Sequence, residues 1–554
     1  MRQERRKIHM KKRIFSGILL VCLMFIGLFV GHKVISVSDH NPEDSEYQKV
    51  MKHLEVIAGQ EHPSGTEEIE QVRQYLLDVL DGLECSYETE TFEASGDRFH
   101  PDDRKVEYTN LLVTIDVPTT TDGVLMVSHY DSTYGGPGAA DDGISVASML
   151  VALEQSLNAY QAGTLKNDMY YLFTDGEENG MQGASYFVSE HPDMKESVKL
   201  VANFEARGNK GALLMFQTSP DNNNLLRQLK KAVSHLDSFS VAASLYATMP
   251  NYTDLTEFLD AGYASCLDFA MIDGSETYHQ STDNFENISR DSAYRYYETI
   301  TEIARYFGSS DLDALTDEED AVFFPTVGGS VSIFSSSFAK VSMIILSVML
   351  FMWMVLMIWK KKIHGIEFLK ALILLIAGML VAFLISKGCL YYLDSLWETD
   401  VTVAEAMDLM GKWNVIQGIV ICVLVTLVTV VISKYVKSHQ EHLLFAMILC
   451  AAGGIALMIL FDSLIYLFLL PLFLLLIQSV IIYFMEQHGK NVQVVNWLFA
   501  CFMVMTMSVI LYPLLKVILD ALGNQFMLYL ALVEAFGVYL VNACFAGNLK
   551  GEKH

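Results

Sequence analysis

Positive charge is scarce in this chain of 554 residues. It has 38 Lys and Arg against 65 Asp and Glu, which gives a formal net charge of −27. Proteins that bind nucleic acid neutralise phosphates with clustered basic side chains, so this deficit argues against a nucleic-acid partner. An acidic field favours instead substrates that carry an amine or another cation.

Cysteine is also scarce outside the long apolar runs of the chain. Of the eight cysteines, only Cys85 and Cys266 lie away from the long apolar runs, and no two are spaced as C-x-x-C. A thiolate zinc site and a dithiol redox motif are therefore not supported. A disulfide between Cys85 and Cys266 stays open, because sequence alone cannot show that two cysteines approach each other.

Long apolar runs, in contrast, are abundant. A helix of about 20 apolar residues crosses the hydrocarbon layer of a bilayer. Eight runs fit, at about residues 14–35, 341–359, 371–388, 414–433, 443–461, 464–485, 495–516 and 526–547. The lipid bilayer is therefore an expected partner. The expected organisation is a basic tail with a first anchor (1–36), an exported domain (40–310), an acidic linker (311–340), a seven-helix membrane domain (341–547) and a tail (548–554).

Basic residues predict the orientation of these runs. Lys360–Lys362 follow the second run, and seven more precede the first, namely Arg2, Arg5, Arg6, Lys7, Lys11, Lys12 and Arg13. By the positive-inside rule, both groups lie in the cytoplasm and the 40–310 domain lies outside it. A cleaved signal peptide is the alternative for the first run, but its length and the lack of an A-x-A site favour an uncleaved anchor. Glu534, inside the last run, is either a functional carboxyl or one hydrogen-bonded between helices.

The segment Ser128–Asp142, SHYDSTYGGPGAADD, predicts the start of a metal site. The apolar run before it reads as a buried strand that ends near His129, where open α/β sheets bind their ligands. A Gly/Pro turn then leads to Asp141 at the start of a predicted helix. A carboxylate here can bridge two ions beside an imidazole ligand, and Asp131 can orient that imidazole.

A second predicted strand ends in the pair Glu177-Glu178. Adjacent carboxylates at a strand end repel each other unless positive charge lies nearby, and a metal ion supplies it. One glutamate then binds metal while its neighbour moves a proton. We assign Glu178 as the ligand and Glu177 as the base; an exposed acidic turn is the alternative.

Two more predicted strands lead to Glu205 and to His279, which brings the number of potential ligands to five. Two ions that share one carboxylate need about this many protein groups. Strands that alternate with helices predict an α/β fold, with a mixed and mostly parallel sheet between helices and its site at the carboxyl ends of the strands. An all-α membrane domain follows.

In this order, His129, Asp141, Glu177-Glu178, Glu205 and Tyr278-His279 resemble the dizinc exopeptidases of the leucyl aminopeptidase and aminopeptidase Y type. The membrane-tethered branch, with the endoplasmic reticulum metallopeptidase and the vacuolar membrane protease, is most similar, because His62-Pro63-Ser64-Gly65 resembles its first segment. The resemblance spans about residues 47–307.

The resemblance implies two zinc ions and a peptide substrate. Asp141 would bridge the ions, with His129 and Glu205 on one and Glu178 and His279 on the other. Glu177 would be the general acid/base, Asp131 the residue that orients a ligand, and Tyr278 a hydrogen-bond donor to the oxyanion.

Aminopeptidase activity is the expected function, although Glu205 replaces an aspartate of many such enzymes and leaves carboxypeptidase activity open. A single-zinc glutaminyl cyclase-like enzyme and a non-catalytic receptor or scaffold on the same fold are the alternatives. Arg207 and Asp283 lie near ligands in sequence, and their roles stay undecided.

Overall fold

A computed structural model describes residues 18–35, 37, 39–98, 105–247, 249, 251–326, 330–363, 365–397, 419–427, 438–522 and 527–546, except positions 21 and 422. The chain divides into two compact units. One, here called the sheet unit, comprises Ile35–Pro325 and Gly329–Ser335. The other, the helical unit, contains the apolar helices.

The strands of the main sheet are β1 (Tyr87–Ser95), β2 (Lys105–Ile115), β3 (Gly123–His129), β4 (Asp168–Thr174), β5 (Val198–Ala206), β6 (Lys210–Thr218) and β7 (Cys266–Asp273). Their order is β1-β2-β4-β3-β5-β7-β6. The four central strands are parallel, and antiparallel strands flank them. The predicted α/β class with a mixed sheet is confirmed.

The helices of the sheet unit are α1 (Ser45–Ile57), α2 (Glu67–Gly82), α3 (Ile144–Gln161), α4 (Gln182–Glu190), α5 (Met194–Ser197), α6 (Asn223–Ala232), α7 (Ser240–Tyr246), α8 (Asp254–Asp260) and α9 (Arg290–Phe307). They cover both faces of the sheet. Along β3, Val124 and Met126 pack in one core cluster, while Leu125 and Val127 pack in another. A strand that is buried on both faces reads as a continuous apolar run, and this explains why β3 was recognisable in the sequence.

The predicted acidic linker, 311–340, is folded over part of its length. Part of it forms a two-stranded sheet of β8 (Ala321–Thr326) and β9 (Ser330–Ser335). Phe323 and Val331 are buried in the core of the sheet unit. Acidic residues before β8 dominate the composition of this segment, although the burial of these apolar side chains stabilises its packing.

Five described helices are long and apolar enough to cross a membrane: Ser336–Trp359, Phe368–Gly388, His439–Leu460, Tyr466–Gln487 and Gln493–Ile518. Two shorter apolar helices, Ile18–Val34 and Ala531–Phe545, correspond to the first and last predicted runs. Most of the predicted run 414–433, the basic N-terminal residues and the tail 548–554 lie outside the described residues.

Two features of the chain that the sequence left open are visible in the structure. Glu534 is half-buried and lines a mostly apolar crevice of the helical unit together with Met24 and Tyr512. Cys85 and Cys266 are both free thiols, so they form no disulfide with each other.

Candidate metal centre

Two groups of three side chains converge in the sheet unit, and Asp141 belongs to both. We call them the first trio, His129, Asp141 and Glu205, and the second trio, Asp141, Glu178 and His279. Within each trio, one ligand atom from every residue lies within 4.8 Å of the others. The five residues are those that the sequence predicted as ligands.

The parallel strands explain this convergence. His129 is the last residue of β3, and Glu205 is the last but one of β5. Glu178 follows β4, and His279 follows β7 by one short turn. Because β4, β3, β5 and β7 are parallel, their carboxyl ends meet at one edge of the sheet.

Asp141 reaches the edge by a different route. It lies in the turn Ala139–Gly143 that leads directly into α3, and its peptide bond to Asp142 is cis. Asp283 accepts hydrogen bonds from the backbone N–H of Ala140 at 2.8 Å and of Asp141 at 3.2 Å. Asp283, whose role was undecided, therefore holds the backbone that carries Asp141.

The two oxygens of Asp141 face different trios. Oδ1 lies 3.4 Å from His129 Nε2, and Oδ2 lies 3.4 Å from His279 Nε2. His129 Nε2 is also 3.6 Å from Glu205 Oε2, and His279 Nε2 is 3.1 Å from Glu178 Oε2. Ligand atoms about 2.0–2.2 Å from a tetrahedral zinc ion lie roughly 3.3–3.6 Å from one another. Three of the four separations lie in this range and the fourth, 3.1 Å, lies slightly below it, so both trios fit a zinc ion.

The histidines support this fit. Nε2 of His129 and Nε2 of His279 are both buried without a hydrogen-bond partner in the described chain. His129 Nδ1 lies 3.0 Å from the backbone O of Asp131 and 3.3 Å from its carboxylate. An N–H at Nδ1 satisfies these acceptors and leaves the Nε2 lone pair directed at the first trio, as a metal ligand requires.

The carboxylates and histidines of the site strongly shift one another's pKa. Burial raises the pKa of Asp141, but His129 and His279 outweigh it and lower that pKa to about 2. Burial and the Asp141 charge raise the pKa of Glu178 to about 7. Burial lowers the pKa of His279, yet Asp141 and Glu178 raise it to about 10. This crowding of carboxylates is the environment that divalent cations stabilise.

Glu177 differs from its neighbour Glu178. Its carboxylate makes no hydrogen bond or ion pair with any described residue, and it belongs to neither trio. Burial raises its pKa well above the usual range, and the negative charges of Glu205 and Glu178 add to the effect. A carboxylate whose pKa is raised holds a proton more readily than an ordinary glutamate, which suits it to accept and return one.

Asp131 fixes the loop that carries the two glutamates. Its carboxylate accepts hydrogen bonds from the backbone N–H of Glu177 and of Glu178, each at 3.2 Å. It also accepts one from Ser64 Oγ at 3.3 Å. Asp131 therefore positions His129 and both glutamates at once.

A second buried carboxylate, Asp175, shares the Ser64 hydroxyl with Asp131, and it was not among the site residues predicted from the sequence. Ser64 Oγ donates to Asp175 Oδ1 at 2.7 Å, and Thr109 N–H donates to Asp175 Oδ2 at 2.9 Å. Arg73 of α2 lies 3.8 Å from the same carboxylate. We call Asp131, Ser64, Asp175 and Arg73 the support network. Ser64 was the signal in the sequence, because it belongs to the segment His62–Gly65.

Tyr278 stacks on His279, with ring centroids 3.6 Å apart and an interplanar angle of 25°. Burial raises the pKa of the Tyr278 phenol, so it stays protonated near neutral pH. The structure thus brings Tyr278 beside the second trio, and it brings all the sequence-predicted site residues to one edge of the sheet.

Residues 110–304 match the family described as Peptidase family M28. Endoplasmic reticulum metallopeptidase 1 of Rattus norvegicus is 30% identical, over 41% of this chain and 26% of the relative. The vacuolar membrane protease of Meyerozyma guilliermondii is 25% identical, over 52% of this chain and 31% of the relative. The match thus spans about a quarter to a third of the length of these relatives.

Two solved structures resemble about half of the chain. The aminopeptidase from Aneurinibacillus sp. strain AM-1 is 12% identical over 52% of this chain and 98% of its own, with a TM-score of 0.40. A glutaminyl cyclase from Fimbriiglobus ruber is 14% identical over 50% of this chain and 98% of its own, with a TM-score of 0.38. Likenesses this weak do not discriminate between the two activities. The match to the family is more specific, and over residues 110–304 this chain is similar to peptidase family M28.

Proposed function

We propose that this chain is a membrane-anchored dizinc exopeptidase that hydrolyses terminal peptide bonds outside the cytoplasm. The observation that carries the proposal is the position of Asp141, whose two oxygens each lie 3.4 Å from a different histidine. Two trios that share one carboxylate are the arrangement that a two-metal hydrolase needs.

In this proposal, His129 and Glu205 would hold one zinc ion, Glu178 and His279 would hold the other, and Asp141 would serve both. The bound ions would polarise the scissile carbonyl and favour ionisation of water at the site. Asp131 and Asp283 hold the ligand-bearing backbone in place, so that little reorganisation is needed when substrate binds.

Glu177 is the proposed general base and general acid. Its free carboxylate accepts the proton of the attacking water and returns it to the amine that leaves. Tyr278, protonated beside the second trio, is the proposed hydrogen-bond donor to the oxygen that gains negative charge.

The membrane setting and the orientation of the proposal have three supports. Five described helices are long and apolar enough to cross a membrane. The named relatives are a metallopeptidase of the endoplasmic reticulum and a protease of the vacuolar membrane. The distribution of basic residues in the sequence supports a sheet unit outside the cytoplasm.

Metal counting on the full-length protein tests the proposal. After purification in detergent with zinc present, elemental analysis should find about two zinc ions per chain, since each trio offers three ligands. Asp141→Asn should lose most of both, because it removes the shared carboxylate. The exposed Asp116→Asn, a matched loss of one charge, should keep both ions.

A peptide panel with free and blocked ends completes the test. Release of terminal residues from free peptides is the expected result. One ion per chain together with cyclisation of N-terminal glutamine would establish the cyclase alternative instead. No bound metal and no hydrolysis would leave a non-catalytic scaffold.

A further inference from the structure

Arg207 lies at the edge of the proposed active site. It follows Glu205 of the first trio by two residues, and its N–H donates to Met271 O of β7 at 2.9 Å. The extended pairing of β5 with β7 thus continues through this residue. Side chains two apart along a strand lie on the same face of a sheet, so Arg207 shares the face of Glu205.

The guanidinium of Arg207 lies over an aromatic ring. Its Cζ is 5.4 Å from the ring centroid of Tyr278, and that ring in turn stacks on His279 of the second trio. A cation held over an aromatic face is restrained in position but keeps its N–H groups free for other partners. Arg207 is half-buried, so its N–H groups remain accessible.

No described carboxylate pairs with Arg207. Some cations of the sheet unit do have carboxylate partners: Arg98 lies 2.6 Å from Glu257, Lys210 lies 3.1 Å from Glu276, and Lys49 lies 2.8 Å from Glu154. Others, such as Arg290 over the Phe285 ring, have no carboxylate partner among the described residues, and Arg207 differs from them by its position two residues after Glu205 of the first trio. An arginine stays charged at all working pH values, so this charge is permanent.

The formal charges of the site bear on which group Arg207 can bind. The two trios and Glu177 supply four negative charges, from Asp141, Glu178, Glu205 and Glu177. Two zinc ions of the proposed function would balance these four charges, so these four carboxylates would not compete with a substrate carboxylate for Arg207. Its planar fork matches a carboxylate with two parallel hydrogen bonds.

We propose that Arg207 is a specificity-determining residue that binds a carboxylate of the substrate close to the scissile bond. This inference rests on the proposed peptidase function and names its substrate class. The carboxylate is either the free C-terminus of a dipeptide or short peptide, or an acidic side chain next to the cleaved bond. Both sources present the same group to the guanidinium.

Binding to the Glu177→Gln full-length protein tests the proposal without turnover. The three probes are Gly-Leu, Gly-Leu amide and Gly-Glu amide, titrated by calorimetry with zinc present. We expect Gly-Leu to bind about tenfold to a hundredfold more tightly than its amide, the range for hydrogen bonds to a charged group. Gly-Glu amide separates the sources, since it binds as tightly as Gly-Leu only if the site accepts a side-chain carboxylate.

Substitution of Arg207 should remove this discrimination. Arg207→Met should bring the acid-to-amide affinity ratio close to one, and Arg207→Lys should retain part of it, because lysine keeps the charge but not the fork. Lys210→Met is the matched control; its cation already has a carboxylate partner, so the ratio should not change. In the parent enzyme, where Glu177 is intact, the preference for Gly-Leu over its amide should appear mainly as a lower KM and not as a higher kcat.

Three results would overturn the proposal. Equal binding of acid and amide by the Glu177→Gln protein rules out carboxylate recognition. An equal loss of affinity for both probes when Arg207→Met or Arg207→Lys is added to it indicates a structural role. Both leave the peptidase function standing if peptides are hydrolysed. Absence of binding for all three probes would overturn the peptidase function as well.

Discussion

Glu177 and Glu178 are adjacent in the chain, yet their surroundings separate their roles. Glu178 Oε2 lies 3.1 Å from His279 Nε2, whereas the Glu177 carboxylate has no partner among the described residues. A carboxylate that binds a cation cannot also exchange a proton freely. Glu177, which has no such partner, is therefore the better base.

Glu177→Gln should therefore keep the metal content of the parent and lose about 10²–10⁴ in kcat, the usual contribution of a general base. Elemental analysis and peptide hydrolysis on the same preparation measure both quantities. Glu276→Gln, which changes a glutamate that pairs with Lys210 and belongs to neither trio, is the control and should keep its activity. Parental activity in Glu177→Gln would show that another group moves the proton.

Asp237, outside the candidate site, links stability to pH. It is buried beside β6, and burial raises its pKa to about 7, although the charge of Arg295 offsets part of the effect. The usual pKa of an aspartate is about 3.9. Between these values the folded protein keeps a proton that the unfolded chain releases, so stability decreases as pH rises from about 4 to 7.

Asp237→Asn should remove this loss. The variant should match the parent near pH 4 and exceed it at pH 8, by at most about 4 kcal/mol of unfolding free energy. Melting temperatures of detergent-solubilised protein across this range measure the difference. Asp260→Asn, at an exposed position, should follow the parent curve, and identical curves for Asp237→Asn would refute the assignment.

At the scale of elements, the support network connects three segments that are distant in sequence. Ser64 precedes α2, Asp131 follows β3, and Asp175 follows β4. The Ser64 hydroxyl lies between two buried carboxylates and contacts both. Without it, the two carboxylates face each other with one less hydrogen-bond donor, and the loop with Glu177 and Glu178 loses a constraint.

Ser64→Ala should lower zinc affinity or kcat about 10–100-fold, as substitutions behind a metal ligand commonly do. Zinc titration with a competing chelator and peptide hydrolysis are the measurements. Ser189→Ala removes an exposed hydroxyl that donates only to the Tyr186 carbonyl, and it should have no effect. If both variants behave alike, the network does not support the site.

The parallel strands were predictable, whereas the β8–β9 sheet was not. The central strands are buried on both faces, so their sequences are continuous apolar runs that stand out along the chain. The segment of β8 and β9 follows a run of acidic residues, and only the tertiary fold shows that Phe323 and Val331 enter the core. The composition predicted an acidic linker, whereas contacts with residues that are distant in sequence bury these two side chains.

The same contrast holds for the site. The five proposed ligands were predictable because each follows an apolar strand or opens a helix, and parallel topology brings strand ends together. Asp175 and the pairing of Arg207 with Tyr278 were not predictable, because they depend on side chains far apart in sequence. The sequence pattern thus indicated the proposed metal ligands. The structure added Asp175, which helps to position them, and Arg207, which is proposed to select the substrate.

For the whole molecule, the basic residues predict that the sheet unit faces away from the cytoplasm. Cysteine introduced at the exposed Glu318 should react with a membrane-impermeant thiol reagent in intact cells. Cysteine at Lys362, in the predicted cytoplasmic loop, should react only after the cells are opened. Labelling of both, or the reverse order, would contradict the orientation.

One side chain, Asp141, serves both halves of the centre, and this restricts how the site can change over evolutionary time. Replacement of Asp141 removes both halves in a single step, whereas Glu178 and His279 belong to one half only. A descendant working with one ion is therefore reached by losing a residue that belongs to one trio only, either His129 or Glu205 of the first or Glu178 or His279 of the second, while Asp141 is retained. Divergence from this scaffold thus has a preferred order of substitutions.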